Sequence, residues 1–138
     1  MKKVLFVCVE NSCRSQIAEA FARIHGKDVV EPYSSGSRPS GRVNPMAIEA
    51  MKERGYDLSR HVSKSLDEIP REQYEYVITM GCGDACPFVP ARHREDWAIP
   101  DPKKMPMDEF RRMRDSIEIE VKDLLARIQQ TSEALDGR

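Results

Sequence analysis

Cys8 and Arg14 bracket the segment Cys8-Val9-Glu10-Asn11-Ser12-Cys13-Arg14-Ser15, and a C-x5-R-S spacing of this kind suits one chemistry, attack by a thiolate on a tetrahedral oxyanion. A thiol reacts as the thiolate, and a helix N-terminus together with a nearby guanidinium lowers a cysteine pKa to roughly 3.5–7.5. The planar fork of Arg14 can hold a dianion through two parallel hydrogen bonds and offset its repulsion from the thiolate. Ser15 stands where its hydroxyl can donate to the sulfur. Asn11 can fix the turn, because asparagine tolerates left-handed backbone. A strand that stops at a thiol and a helix that starts near an arginine gather backbone N–H groups around one point. The anion-binding set is therefore Glu10, Asn11, Ser12, Cys13, Arg14 and Ser15, with the Cys13 thiol itself read as structural.

Two further thiols, Cys82 and Cys86, occur in Met80-Gly81-Cys82-Gly83-Asp84-Ala85-Cys86-Pro87. They lie about one helical turn apart, within reach of a disulfide after modest rearrangement. The glycines and the proline mark an irregular segment. Two other readings stay open: ordinary loop cysteines, and a zinc site shared with Cys8 and Cys13, which the spacings and the adjacent Arg14 disfavour. Asp101 sits between Pro100 and Pro102, which restrict the backbone. Its carboxyl group could be held over the cradle to protonate a departing oxygen, although an Asp-Pro pair is also a common turn. His25, His61 and His93 have no metal-ligand spacing and are expected at the surface or at helix ends.

Short β-rich runs alternating with helical patterns predict an α/β fold. Strands are expected over Lys3 to Val9, Val29 to Ser34 and Tyr76 to Met80, with a short fourth around Trp97. A first helix should run from Ser15 to His25, with Ile17, Phe21 and Ile24 on its apolar face and Gly26 as its stop. Asn44-Pro45 reads as a cap and first helical residue, starting a helix that passes Ala47, Ala50 and Met51 and ends at Gly55. Phe110, Met113, Ile117, Val121, Leu124, Leu125 and Ile128 mark a last helix by their three-and-four spacing. Ligands of open parallel sheets bind beyond the carboxyl ends of the strands. Cys8 and Cys82 should therefore share a rim.

With 138 residues and no repeat or long linker, a single domain over residues 1–138 is expected. The net charge of −1, from 22 basic and 23 acidic residues, gives no field for nucleic acid or an anionic membrane. No segment has the length of a membrane span. A cytoplasmic monomer with cysteines reduced at rest is the expectation.

Together these residues resemble the thiol-coupled, thioredoxin-type arsenate reductases built on the low-molecular-weight tyrosine phosphatase fold, from Lys2 to about Ile128. The similarity rests on the loop from Cys8 to Ser15 with Gln16-Ile17-Ala18-Glu19 after it, Val43-Asn44-Pro45, the cysteine-bearing segment 82–86, Trp97, Asp101-Pro102 and the stretch from Arg111 to Asp115. It implies an open, twisted, four-stranded parallel sheet flanked by helices. It also implies a thiol relay on arsenate: Cys8 attacks arsenic, Asp101 assists loss of water, Cys82 attacks the Cys8 adduct, and Cys86 moves the disulfide to Cys82–Cys86 for thioredoxin or a similar reductant. No metal or organic cofactor is implied. Some relatives place a monovalent cation near the positions of Asn11, Glu19 and Ser34, but Lys64 stands where an acidic residue would help hold it. The short interval between Cys82 and Cys86 leaves the electron donor open. Three competitors remain: a low-molecular-weight phosphatase using Cys8, Arg14 and Asp101, transfer of arsenate to a small thiol, and a non-enzymatic redox switch.

Overall fold

The computed structural model of the protein describes residues 1–81 and 89–136, with side chains as far as Thr131. Among the described residues seven main elements follow in the order β1 (Lys2–Cys8), α1 (Arg14–His25), β2 (Val30–Gly36), α2 (Pro45–Lys52), β3 (Tyr74–Thr79), β4 (Ala91–Asp96) and α3 (Met107–Asp136). The four strands are parallel and ordered β2-β1-β3-β4. The chain steps from β1 outward to β2, then returns past β1 to β3. The carboxyl ends of β1 and β3 thus flank the switch point where such sheets bind ligands.

Strand β1 is apolar on both faces because both are covered. Val4, Phe6 and Cys8 belong to the larger core cluster, with Ile17 and Phe21 of α1, Met51 of α2 and Ile117 of α3. Leu5 and Val7 face a smaller cluster with Val77, Ile69 and Tyr74. Burying one such side chain contributes roughly 1.5–3 kcal/mol, so the two-residue alternation fixes which way Cys8 points. It emerges on the α1 side.

Helix α1 ends at Gly26, whose N–H donates to the Ala22 carbonyl at 2.8 Å. A Cβ at Gly26 would stand 2.7 Å from Cδ2 of Leu125, so this stop also admits α3. Asn44 caps α2, its Oδ1 accepting from the N–H of Met46 at 2.8 Å, with Pro45 at the first helical position. The apolar stripe from Phe110 to Ile128 is buried as its spacing predicts, but α3 starts earlier, at Met107, and continues to Asp136.

Two expectations need correction. The fourth strand is Ala91–Asp96, ending before Trp97. Its sequence, Ala-Arg-His-Arg-Glu-Asp, lacks a strand signature because it is an edge strand: pairing with β3 supplies its ladder, and charged side chains guard the open side. Trp97 instead follows it into the core, its ring 5.9 Å from that of Phe6. Ile24 is exposed, because the face of α1 turns to solvent in its last turn. Remaining boundaries shift by a residue or two, and α2 stops at Lys52, short of Gly55. Among the described residues no helix is long and apolar enough to cross a membrane.

Candidate active site

The loop after β1 is held from outside by its carbonyl groups. Val9 O accepts from Arg38 N (2.8 Å), Glu10 O from Ser40 N (3.0 Å), Ser12 O from Asn44 N (2.8 Å) and Cys13 O from Ile17 N (2.9 Å). Glu10 O also accepts from Ser63 Oγ, and Asn11 O from Gln16 Nε2. With the carbonyls engaged outward, the N–H groups of Glu10 to Arg14 have no acceptor among the described residues. They form an anion nest at the start of α1. Asn11 takes the positive φ of 49° that this winding needs. Gly36, beside it on β2, is required by space: a Cβ there would lie 2.5 Å from Val9 O and 2.9 Å from Asn11 N.

Behind the loop runs a buried chain of side chains whose donors can be assigned one by one. The Lys64 backbone N–H donates to Asn11 Oδ1 at 3.0 Å, which fixes the orientation of that amide. Asn11 Nδ2 then donates to Ser15 Oγ at 2.8 Å. The Ser15 proton is left for Cys8 Sγ, 2.9 Å away. On the other side, Gln16 Nε2 donates to Asn11 Oδ1 (2.8 Å), His61 Nδ1 donates to Gln16 Oε1 (2.7 Å), and Tyr56 O–H donates to His61 Nε2 (2.5 Å). Every link delivers a hydrogen toward the sulfur end. The chain so assigned ends in a hydroxyl donor on the Cys8 sulfur.

Arg14 is buried, and its Nη1 donates to the Ile99 carbonyl at 3.0 Å. Its Nε and Nη2, the edge that grips a dianion bidentately, have no protein acceptor among the described residues. Gly81 presses on the same guanidinium: its φ is +73°, and a Cβ would stand 2.5 Å from Arg14 Nη1.

Cys8, Glu10, Ser12, Cys13, Arg14 and Asp101 line one cavity of about 330 Å³. The side chains of Asn11 and Ser15 stand behind that wall, bonded to each other and, through Ser15, to Cys8, while the Asn11 N–H belongs to the nest. Asp101 is exposed at the mouth, and its Oδ1 accepts from Lys103 N at 3.1 Å, capping the short 3-10 turn Pro102–Lys104. Burial, then the neighbouring Cys8, pushes the Cys13 thiol well up, so it does not compete as a nucleophile near neutral pH. Cys82 and Cys86 lie outside the described residues. Gly81, which precedes Cys82 in sequence, lines the cavity.

A second cluster lies beyond the donor chain. Ser34 Oγ donates to Glu19 Oε1 at 2.6 Å, Arg23 Nε donates to Glu19 Oε2 at 2.9 Å, and Lys64 Nζ stands 3.5 Å from Ser34 Oγ and 3.8 Å from Glu19 Oε1. The ammonium of Lys64 supplies the positive charge there, so these residues do not fit a resident monovalent cation. Among the described residues no group of three or more His, Cys, Asp or Glu could hold a metal ion.

His25 stands at the end of α1 and His93 is exposed on the edge strand β4, both in line with the expected surface or helix-end positions. His61 is the correction. It follows the 3-10 turn Leu58–Arg60, but its side chain is only 9 % exposed and bonds on both ring nitrogens. Burial lowers its pKa, in keeping with the neutral tautomer that the chain assigns. The signal was a polar Gln16 directly after Ser15, a residue that needs a partner once helix α1 is packed.

Comparison with known proteins agrees with this geometry. The family model described as low molecular weight phosphotyrosine protein phosphatase matches residues 3–134. An arsenate reductase of Staphylococcus aureus (strain Newman) is 42% identical over 130 residues, covering 91% of this chain and 98% of its own. "Arsenate reductase 2" of Staphylococcus haemolyticus is 41% identical over the same length and coverage. Among solved structures, an arsenate reductase in the phosphate binding state superposes with a TM-score of 0.83 at 38% identity, over 93% of this chain and 99% of that one. A thioredoxin-dependent arsenate reductase of Corynebacterium glutamicum gives 0.79 at 36% identity, over 95% of this chain and 63% of that one.

Proposed function

The chain belongs to the low-molecular-weight phosphotyrosine protein phosphatase family, and from that premise we propose that it is an arsenate reductase working by a three-thiol relay. The observation that carries the reading is the engagement of the loop carbonyls, which leaves the N–H groups of Glu10 to Arg14 without a protein acceptor among the described residues, in the loop that lines the Cys8 cavity. The relatives named arsenate reductase decide for arsenate as the anion.

In this reading arsenate binds with its oxygens on those N–H groups and on Nε and Nη2 of Arg14. The Cys8 thiolate attacks arsenic, an arsenic–oxygen bond breaks, and Asp101 gives the proton with which that oxygen leaves as water. Cys82 thiolate then attacks the Cys8 sulfur. The sulfur–arsenic pair stays on arsenic, which is reduced from +5 to +3 and leaves as arsenite, while a Cys8–Cys82 disulfide forms. Attack by Cys86 on Cys82 frees Cys8 as thiolate. An external dithiol such as thioredoxin reduces the resulting Cys82–Cys86 disulfide.

Arsenite production from arsenate is measured with purified protein and thioredoxin, glutaredoxin or a small thiol in turn. Absence of arsenite with all three sinks the reading. Mass spectrometry after one turnover without reductant should find Cys82–Cys86 joined; a mixed disulfide with an added small thiol would point to transfer chemistry. Aryl-phosphate hydrolysis that survives Cys82→Ser and Cys86→Ser, without arsenate turnover in the parent, would make the protein a phosphatase.

A further inference from the structure

The cavity that holds Cys8 has a buried floor and a charged rim. Cys8 and Cys13 are 3% and 5% exposed, whereas the side chains of Glu10 and Lys103 are 39% and 66% exposed. Both rim residues line the cavity, and Lys103 Nζ stands 3.2 Å from Glu10 Oε2. They come from different segments of the chain. Glu10 belongs to the anion loop, its carbonyl held by Ser40 and Ser63, and Lys103 belongs to the 3-10 turn that Asp101 caps. The pair therefore joins two separate segments that line the cavity.

We propose that the Glu10–Lys103 pair is a specificity-determining bar that admits inorganic tetrahedral oxyanions and excludes phosphate monoesters. In-line attack by Cys8 on an anion seated in the nest puts the leaving oxygen opposite the sulfur, toward the mouth. Asp101, exposed on the same cavity, is the residue proposed above to protonate it. In an inorganic anion this oxygen carries at most a proton. In a monoester it carries the organic group, and on this proposal that group displaces the two rim side chains and breaks their contact. Lys103 also cancels the charge of Glu10, so the bar does not repel a dianion. Selection is by size of the substituent. The inference rests on the oxyanion-cradle reading above and adds a device for its substrate class.

The test uses Cys8→Ser protein, which cannot form a covalent adduct through sulfur, and measures calorimetric dissociation constants for inorganic phosphate and phenyl phosphate. At about pH 8 both ligands are mainly dianions, so their ratio there cancels most of any charge effect. Cys8→Ser alone should favour inorganic phosphate by about threefold to fivefold, as breaking an exposed pair allows, and adding Glu10→Ala or Lys103→Ala should remove most of that preference. The charge-swapped Glu10→Lys/Lys103→Glu protein should recover the preference to within about twofold. A preference that neither single variant changes, or that the swap does not recover, overturns the proposal. If neither anion binds, cradle and bar fall together. Arsenate turnover is assayed separately on the protein with Cys8 intact, so its absence with a preserved preference would sink the reductase reading alone.

Discussion

The back wall and the mouth of the cradle are built by opposite means. Behind Cys8, Ser15, Asn11 and Gln16 are fully buried and hydrogen-bonded in sequence as far as Tyr56, so removing one leaves a partner dry and unpaired. At the mouth, Glu10, Lys103 and Asp101 are partly or wholly exposed, and water replaces whatever is lost. The wall sets where the sulfur and the N–H groups stand. The mouth can vary without disturbing them, which makes it the place where selectivity is adjusted.

The comparison breaks first at the reacting groups, where the largest effects fall. Cys8→Ser should abolish arsenite formation, and Arg14→Lys should lower kcat/KM by about 10²–10³ because a point charge does not reproduce the bidentate grip. Steady-state arsenite assays check both. An Arg14→Lys enzyme with parental kinetics would remove the guanidinium from the cradle.

Asn11→Ala tests the wall itself. It deletes the donor to Ser15 and the acceptor for Gln16 and Lys64 N, and it asks alanine to adopt a φ of 49°. A stability loss of about 1–3 kcal/mol per unpaired buried group is expected, together with a fall in kcat, read by denaturant unfolding and kinetics. If stability and rate stay parental, the wall is not a unit.

Gly81→Ala is intermediate, since it acts on the wall from the mouth side. Its Cβ would meet Arg14 Nη1 at 2.5 Å, and alanine pays about 1–2 kcal/mol for left-handed backbone. Phosphate binding by calorimetry should weaken by about tenfold. Unchanged affinity would mean that Arg14 adjusts freely and that its bond to Ile99 does not hold it.

How much of this was legible in the sequence follows the same division. The cradle could be read because strand, turn and helix are contiguous: Cys8, Asn11, Arg14 and Ser15 lie within one short segment, and the local signals agree. The long amphipathic helix was equally plain. The wall was hidden, because His61 and Tyr56 reach Gln16 only after the chain has passed through β2 and α2, and a histidine next to a short 3-10 turn looks like any surface residue. The edge strand β4 was hidden for another reason. Its charged residues carry no period, and pairing with β3 is what makes them a strand. The Glu10–Lys103 contact joins residues far apart in the chain and could not be seen in either segment alone.

His61 gives a pH test of the wall. Burial lowers its pKa below the usual 6.5, so between the folded value and 6.5 the unfolded chain binds more protons than the folded one. This group therefore costs no stability above about pH 6.5, and its cost grows as pH falls from there to the folded pKa, then levels off. Thermal midpoints of the parent should drop more steeply with acid across that window than those of His61→Gln, which has no titration there. Parallel curves would mean that the imidazole protonates without disturbing Tyr56 and Gln16.

The smallest effect belongs to the mouth, and its smallness is the point. Glu10→Ala and Lys103→Ala each remove one partner of an exposed pair, for which a stability change of about 0–1 kcal/mol is typical. Unfolding free energies at low and high salt should therefore stay close to parental, with any difference shrinking as salt screens the pair. A loss comparable to that of Asn11→Ala would show that the mouth braces the loop as the wall does. The two regions would then be one structure, and selectivity could not change at the rim without cost to the nest beneath it.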